Sequence, residues 1–171
     1  MTQTPKTTRK SSTVVAKTSR KKSPALPPNP FVHEILEYIS KKKSKIAKIE
    51  ALKEYSNDAL VSILIWNFDE TVVSMIPEGD VPFTPNESPL GTDHTSLRRE
   101  GKNLYHFVKG GNDTLNGIRR ETMFIQMLEG LHPSEARIVI LAKDKRLTNE
   151  YAVTYDQVKE AYPDINWGGR S

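Results

Sequence analysis

Residues 58–77, DALVSILIWNFDETVVSMIP, form the densest apolar run in the chain, and any fold has to close around it. Leu60, Leu64 and Phe68 recur at i, i+4 and i+8, with Ala59, Ile63 and Trp66 beside them and Val61 and Ile65 on a further flank. A helix that is apolar on nearly every side belongs inside a core with several neighbours. Residues 61–66 also fit a buried strand, because a short β-branched stretch has no periodicity that separates the two states. Ser56, Asn57 and Asp58 supply N-cap side chains and the run outlasts an ordinary strand, so a helix is expected. Nothing in the run is catalytic.

The rest of the chain offers helical patterns to pack against it. Asn29-Pro30 pairs an N-cap candidate with proline at a first helical position, and Phe31, Ile35 and Ile39 then form a stripe with Val32 and Leu36 alongside. Lys41, Lys42 and Lys43 close that helix where its dipole favours cations. The run from Lys41 to Lys45 reads as a cap and solvated linker, with phosphate contact as the alternative. A second helix over residues 44–55 is expected to turn Ile46, Ile49, Leu52 and Tyr55 inward and its lysines outward. Residues 71–76 read as one more helical turn, ended by Pro77. Residues 78–94 then hold three further prolines and two glycines, and are expected as a long extended loop pinned across the body by Val81, Phe83 and Leu90.

A helix over residues 95–108 would place Leu97, Gly101, Leu104, Tyr105 and Val108 on one side. Gly101 costs such a helix about 1 kcal/mol relative to alanine, which suits a close approach of another backbone. After the turn Lys109-Gly110-Gly111-Asn112-Asp113, a longer helix runs to Glu129 with Ile118, Met123, Phe124, Ile125, Met127 and Leu128 as a wide apolar face and Gly130 as its C′ residue. His132-Pro133-Ser134-Glu135 restarts a helix through Ala136, Val139, Ile140 and Lys143, with a strand over residues 138–142 as the alternative. Thr154 and Gln157 form a capping box, Val153 is placed to staple against Val158, and the last helix must stop before Pro163. There is no internal repeat. The expectation is an all-α chain: one compact domain of about seven helices over residues 30–171, with a Pro-rich loop at 77–94 and a disordered basic arm over residues 1–29.

Charge is what sets the arm apart. Lys6, Arg9, Lys10, Lys17, Arg20, Lys21 and Lys22 fall within the first 30 residues without a single acid, so seven of the 25 Lys and Arg are concentrated there. The remaining 18 basic side chains face 21 acidic ones, a body of net charge −3. Ordering the first 28 residues would cost on the order of 30–60 kcal/mol of backbone entropy. Burying Val14, Val15 and Leu26 returns under about 10 kcal/mol. The arm is therefore expected to stay disordered until something binds it.

With Ile65-Trp66-Asn67-Phe68-Asp69, the loop from Ile76-Pro77-Glu78-Gly79 to Pro82-Phe83-Thr84-Pro85-Asn86, Phe107-Val108-Lys109-Gly110-Gly111, and Met123-Phe124-Ile125-Gln126-Met127-Leu128-Glu129 before His132-Pro133, the ordered motifs resemble a family of small uncharacterised proteins. That family is encoded by large tailed bacteriophages of marine bacteria, cyanophages among them. The resemblance covers roughly residues 31–167, and the arm lies outside it. It carries no assigned activity and transfers no catalytic residue. It implies the cytoplasm of an infected bacterial host, or a virion, as the setting, and weighs against reading the arm as a nuclear or mitochondrial signal.

Chemistry is sparse. The absence of cysteine removes disulfides, thiolate metal sites and thiol nucleophiles. No apolar run reaches the length of about 18 residues that a membrane span requires, and the N-terminus has no apolar signal-peptide core. A soluble intracellular protein without a membrane partner is expected, in which the sequons at Asn86 and Asn112 carry no meaning. There is no P-loop, G-x-G-x-x-G, H-E-x-x-H or G-x-S-x-G spacing. His33, His94, His106 and His132 are dispersed without metal-ligand spacing, and Asp93-His94 is an acid and base pair with no nucleophile beside it. No cofactor or metal is therefore expected, and no catalytic residue is assigned.

What remains is electrostatic. The seven arm cations suit non-specific contact with DNA or RNA, with a salt slope of about −6 in log affinity if all meet duplex phosphate. Arg98, Arg99 and Lys102, with Arg119 and Arg120 on the next helix, form a second candidate patch, and Tyr105 or Phe107 is available to stack on bases. The expected function is a non-enzymatic phage accessory protein whose body docks on a phage or host protein while the arm binds nucleic acid. An interaction or structural module without nucleic-acid binding is the first alternative. A small metal-dependent nuclease with dispersed carboxylates is the second.

Overall fold

The structure is a computed structural model that describes residues 25–89 and 91–169. Its α-helices are α1 (Val32–Ser40), α2 (Lys45–Glu54), α3 (Asp58–Phe68), α4 (Leu97–Glu100), α5 (Gly117–Gly130), α6 (Pro133–Lys143) and α7 (Tyr155–Ala161). Two 3-10 helices, Gly101–Phe107 and Leu147–Asn149, complete the set among the described residues. Among the described residues there is no sheet, only one isolated antiparallel bridge between Ser74 and Val108. The fold is all-α, and none of the described helices is long and apolar enough to cross a membrane.

Side-chain caps decide where most helices begin. Ser44 Oγ accepts from the Ala47 amide at 3.1 Å, Asn57 Oδ1 from Leu60 at 2.9 Å and Asn116 Oδ1 from Arg119 at 2.8 Å. At α7 the box closes as the sequence predicts, with Gln157 Oε1 accepting from the Thr154 amide at 3.1 Å and Thr154 Oγ1 from Gln157 at 3.4 Å. Helix α6 starts at Pro133, and His132 Nδ1 accepts from the Ser134 amide at 3.1 Å. The predicted Asn29 cap is displaced: Asn29 has φ 52°, and α1 begins three residues later after Phe31, a residue with no side-chain acceptor.

Helix α3 sits at the centre, as its apolar circumference requires, and packs on α6, α4 and the longer 3-10 helix. Ala59, Leu60, Ile63, Leu64 and Trp66 are all buried. Against them α6 contributes Ile138, Val139, Leu141 and Ala142, so both stretches open to a strand reading are core helices. Each fully buried Leu or Ile here contributes about 1.5–3 kcal/mol. Helix α2 packs on α1 and α7, and Tyr162 donates its hydroxyl to the Leu52 carbonyl at 2.7 Å.

Four expectations fail in instructive ways. Residues 71–76 are not helical: Asp69 Oδ1 accepts from the Thr71 amide and hydroxyl at 2.9 and 2.6 Å, turning the chain out of α3. The β-branched Val72 and Val73 then continue extended, with the Met75 amide donating to Phe107 O at 2.7 Å and Lys109 to Val73 O at 2.9 Å. The expected helix over residues 95–108 tightens to 3-10 at Gly101, where the buried period becomes three: Leu104 and Phe107 go inward and Tyr105 is 49% exposed. Ile46 and Ile118, each in the first turn of its helix, point outward at 70% and 84% exposure. Gly130 is the last residue of α5 and not its C′; a Cβ there would lie 3.1 Å from Thr95 Cγ2, and its carbonyl accepts from the Thr95 amide at 3.1 Å. Gly101, by contrast, marks a close approach: a Cβ on it would meet Ala59 Cα at 2.8 Å.

The Pro-rich segment over residues 77–94 has no regular structure where described. Its start is bolted to the end of α6. Lys143 is buried, and its ammonium donates to Pro77 O at 2.9 Å, Gly79 O at 2.8 Å and Asp144 Oδ1 at 2.7 Å, while Asp144 Oδ2 accepts from the Gly79 amide at 3.1 Å. Val81 and Phe83 pack on the core as predicted, and Leu90 lies outside the described residues.

Candidate functional site

Helix α4 and the 3-10 helix that continues it form a ridge that lines two cavities and carries Arg98, Arg99 and Lys102 of the predicted basic patch. The ridge is anchored by Glu135. Neither α1 nor α4 has a side-chain cap of its own; Glu135 Oε2 accepts from the Val32 amide at 3.2 Å and Oε1 from the Leu97 amide at 3.1 Å. One carboxylate on α6, 1% exposed, thus caps two helices that are distant in sequence. Burial pushes the Glu135 carboxyl above the ordinary carboxylate value, against the lowering effect of those two amide bonds.

The first cavity, about 410 Å³, lies between the start of α1 and α4 and is lined by Arg98, Arg99, Asp93 and Glu135 among others. Two cations face two carboxylates there. Arg98 Nη2 also donates to Pro30 O at 3.0 Å, which fixes the chain entering α1. Asp93 Oδ1 accepts from Asn86 Nδ2 at 3.0 Å, while its Oδ2 and His33 Nδ1 are buried without a hydrogen-bond partner among the described residues. His33 stacks on His132 at 5.0 Å between ring centroids. Burial and then the neighbouring His132 lower its pKa, over the opposing effect of Glu34, Glu37 and Asp93. The Asp93-His94 pair is split, since His94 lines a separate surface cavity with Glu129. No group of three or more His, Cys, Asp or Glu among the described residues could hold a metal ion.

The second cavity, about 260 Å³, lies between α3 and the 3-10 helix. Its apolar wall comes from Ile65, Trp66, Val72, Leu104 and Val108, with Tyr105, Lys102 and Lys109 beside them and no carboxylate among the lining residues. The Tyr105 ring lies 4.0 Å from that of His106, centroid to centroid.

A model of a family of unknown function, DUF6433, matches residues 35–149, more than half of the chain. The chain belongs to this family. No curated protein and no solved structure matches it. The DUF6433 segment runs from within α1 to the end of the 3-10 turn Leu147–Asn149, so it includes the whole ridge and leaves α7 and the basic arm outside.

Within this DUF6433 chain the predicted nucleic-acid residues separate into three groups. Lys6, Arg9, Lys10, Lys17, Arg20, Lys21 and Lys22 lie outside the described residues. Arg98, Arg99, Lys102 and Arg119 are exposed, the first two at one cavity and Lys102 at the other. Arg120 has to be withdrawn from the patch. It is 5% exposed, and its guanidinium donates to the carbonyls of His106, Asn112 and Leu115 at 2.9–3.0 Å, which locks the turn after the 3-10 helix. Phe107 is withdrawn too, being stacked on Trp66 and set edge-on to Phe124 in the core. Two contributors escaped the sequence reading. Lys109 lines the same cavity as Lys102, and Glu135 has the look of an ordinary first-turn acid.

Proposed function

We propose that this chain is a non-enzymatic accessory protein whose basic arm, with its seven cations between Lys6 and Lys22, binds DNA or RNA without sequence preference while the helical body docks on a protein partner. The observation that carries this reading is charge segregation: seven cations and no acid in the first 30 residues, against a body of 18 basic and 21 acidic side chains. Such an arm binds a polyanion by releasing counterions, a gain that needs no folded motif. On the body, Arg98, Arg99, Lys102 and Lys109 add exposed cations along one ridge. The ordered motifs described above suit a bacteriophage setting, in the host cytoplasm or the virion.

The test is fluorescence anisotropy of a labelled duplex across a salt series, with the full chain and a variant carrying glutamine at the seven arm cations. The expected result is a slope of about −6 for the full chain that flattens in the variant. Equal binding by the two proteins removes the arm from the function. A second reading, an interaction module without nucleic-acid binding, is favoured by the exposed Val73 and Met75, which lie 49% and 40% open on the extended segment beside the ridge. It expects no binding in the anisotropy assay.

A further inference from the structure

The cavity between α3 and the 3-10 helix combines three features that single-stranded nucleic acid requires. The first is an exposed aromatic ring: Tyr105 lines the cavity and is 49% exposed, with the His106 ring against it at 4.0 Å between centroids, although the other aromatic rings of the same region, Trp66 and Phe107, are 2% exposed. The second is cationic charge without local compensation, because Lys102 and Lys109 line the cavity, no carboxylate does, and neither lysine makes an ion pair among the described residues. The third is an apolar wall able to shield a flat ring from water. A duplex keeps its bases stacked inside and offers only phosphate to such a place, whereas an unpaired strand offers a π face and a phosphate together.

We infer that this cavity is a binding site for single-stranded nucleic acid, in which an unpaired base stacks on Tyr105 and the flanking phosphates meet Lys102 and Lys109. The inference deepens the nucleic-acid reading above and rests on it: the arm supplies affinity for any polyanion, and the cavity supplies the preference for an open strand. Arg98 and Arg99, on the preceding turn, line the other cavity.

The experiment compares the full chain with its Tyr105→Ala, Tyr105→Phe and Lys102→Gln/Lys109→Gln variants, binding oligo-deoxythymidine and a duplex of the same length across a salt series. Tyr105→Ala is expected to weaken single-strand binding at least about fivefold, the low end of the effect of one base stacked on an aromatic ring, and to leave duplex binding unchanged. Tyr105→Phe keeps the ring and should retain the affinity. The double lysine variant should make the single-strand salt slope shallower by about 1.4, or 0.7 per lost phosphate contact. If the wild type binds both probes and Tyr105→Ala changes neither, the cavity is not a base site, and the arm reading stands. If the wild type binds neither probe, both readings fail together. If sedimentation shows a dimer that Tyr105→Ala dissociates, the cavity is a self-interface and the inference is overturned.

Discussion

Replacing Glu135 by alanine tests the central claim about how the ridge is held. The substitution leaves two buried amides, those of Val32 and Leu97, without the acceptors they now have at 3.2 and 3.1 Å. Each orphaned buried donor costs about 1–3 kcal/mol. Part of this is offset because burial already disfavours the carboxylate, as its raised pKa indicates. A net loss of about 2–4 kcal/mol is expected, which in a domain of this size lowers Tm by about 2–4 °C per kcal/mol. Glutamine keeps the shape and one acceptor but turns a donor toward one amide, so Glu135→Gln should fall between alanine and the wild type. A pH signature reports the burial of the carboxyl, which outweighs the two amide bonds that favour its charged form. A folded pKa above the unfolded value gives a contribution that is full below the ordinary value of 4.5 and is lost as pH rises through the folded pKa. Glu135→Gln should abolish that slope. Urea unfolding followed by circular dichroism gives the energies, and amide exchange at Val32 and Leu97 gives the location. An alanine variant within about 0.5 kcal/mol of wild type, the range of ordinary surface changes, with both amides still protected, would refute the shared cap.

Three further outcomes follow from other parts of the structure. Arg120→Ala should destabilise by about 2–4 kcal/mol, because three carbonyls lose a charged donor at once; thermal melting checks this, and Arg119→Ala should melt within the error of wild type. Gly101→Ala should destabilise by about 1–3 kcal/mol through overpacking, reversing the gain that helix propensity alone would give, since its Cβ would meet Ala59 Cα at 2.8 Å. His33 carries a lowered pKa amid His132, Glu34, Glu37 and Asp93, so its contribution to stability is present above the ordinary value of 6.5 and lost as pH falls below it. Urea midpoints of wild type and His33→Asn should therefore converge on acidification.

The helices were legible where one repeat length ruled a whole segment. In α3 the apolar residues cover the circumference and Asn57 supplies the cap, so both identity and depth follow from the residues themselves. The ridge was misjudged because its period changes from 3.6 to three at Gly101, which exchanges Tyr105 for Phe107 on the buried side. Ile46 and Ile118 sit in the first turns of their helices, where neither meets a neighbouring element that would cover it. Arg120 did carry a signal, since it falls at i, i+4 and i+8 with Phe124 and Leu128 and so lies on the apolar stripe of α5. An arginine on such a stripe needs buried carbonyls. Glu135 carried none: its two bonds reach across 103 and 38 residues, and no local pattern reports a contact of that span.

The Lys143 clamp grips main-chain oxygens at Pro77 and Gly79 and no side chain of the segment it secures. It therefore acts as a gauge of spacing. Side-chain identity farther along, between Pro85 and Pro89, does not enter that grip, whereas adding or removing a single residue between Pro77 and Gly79 would change which oxygens face an ammonium whose three donors are all engaged. Related chains should on this account hardly vary in where the segment starts.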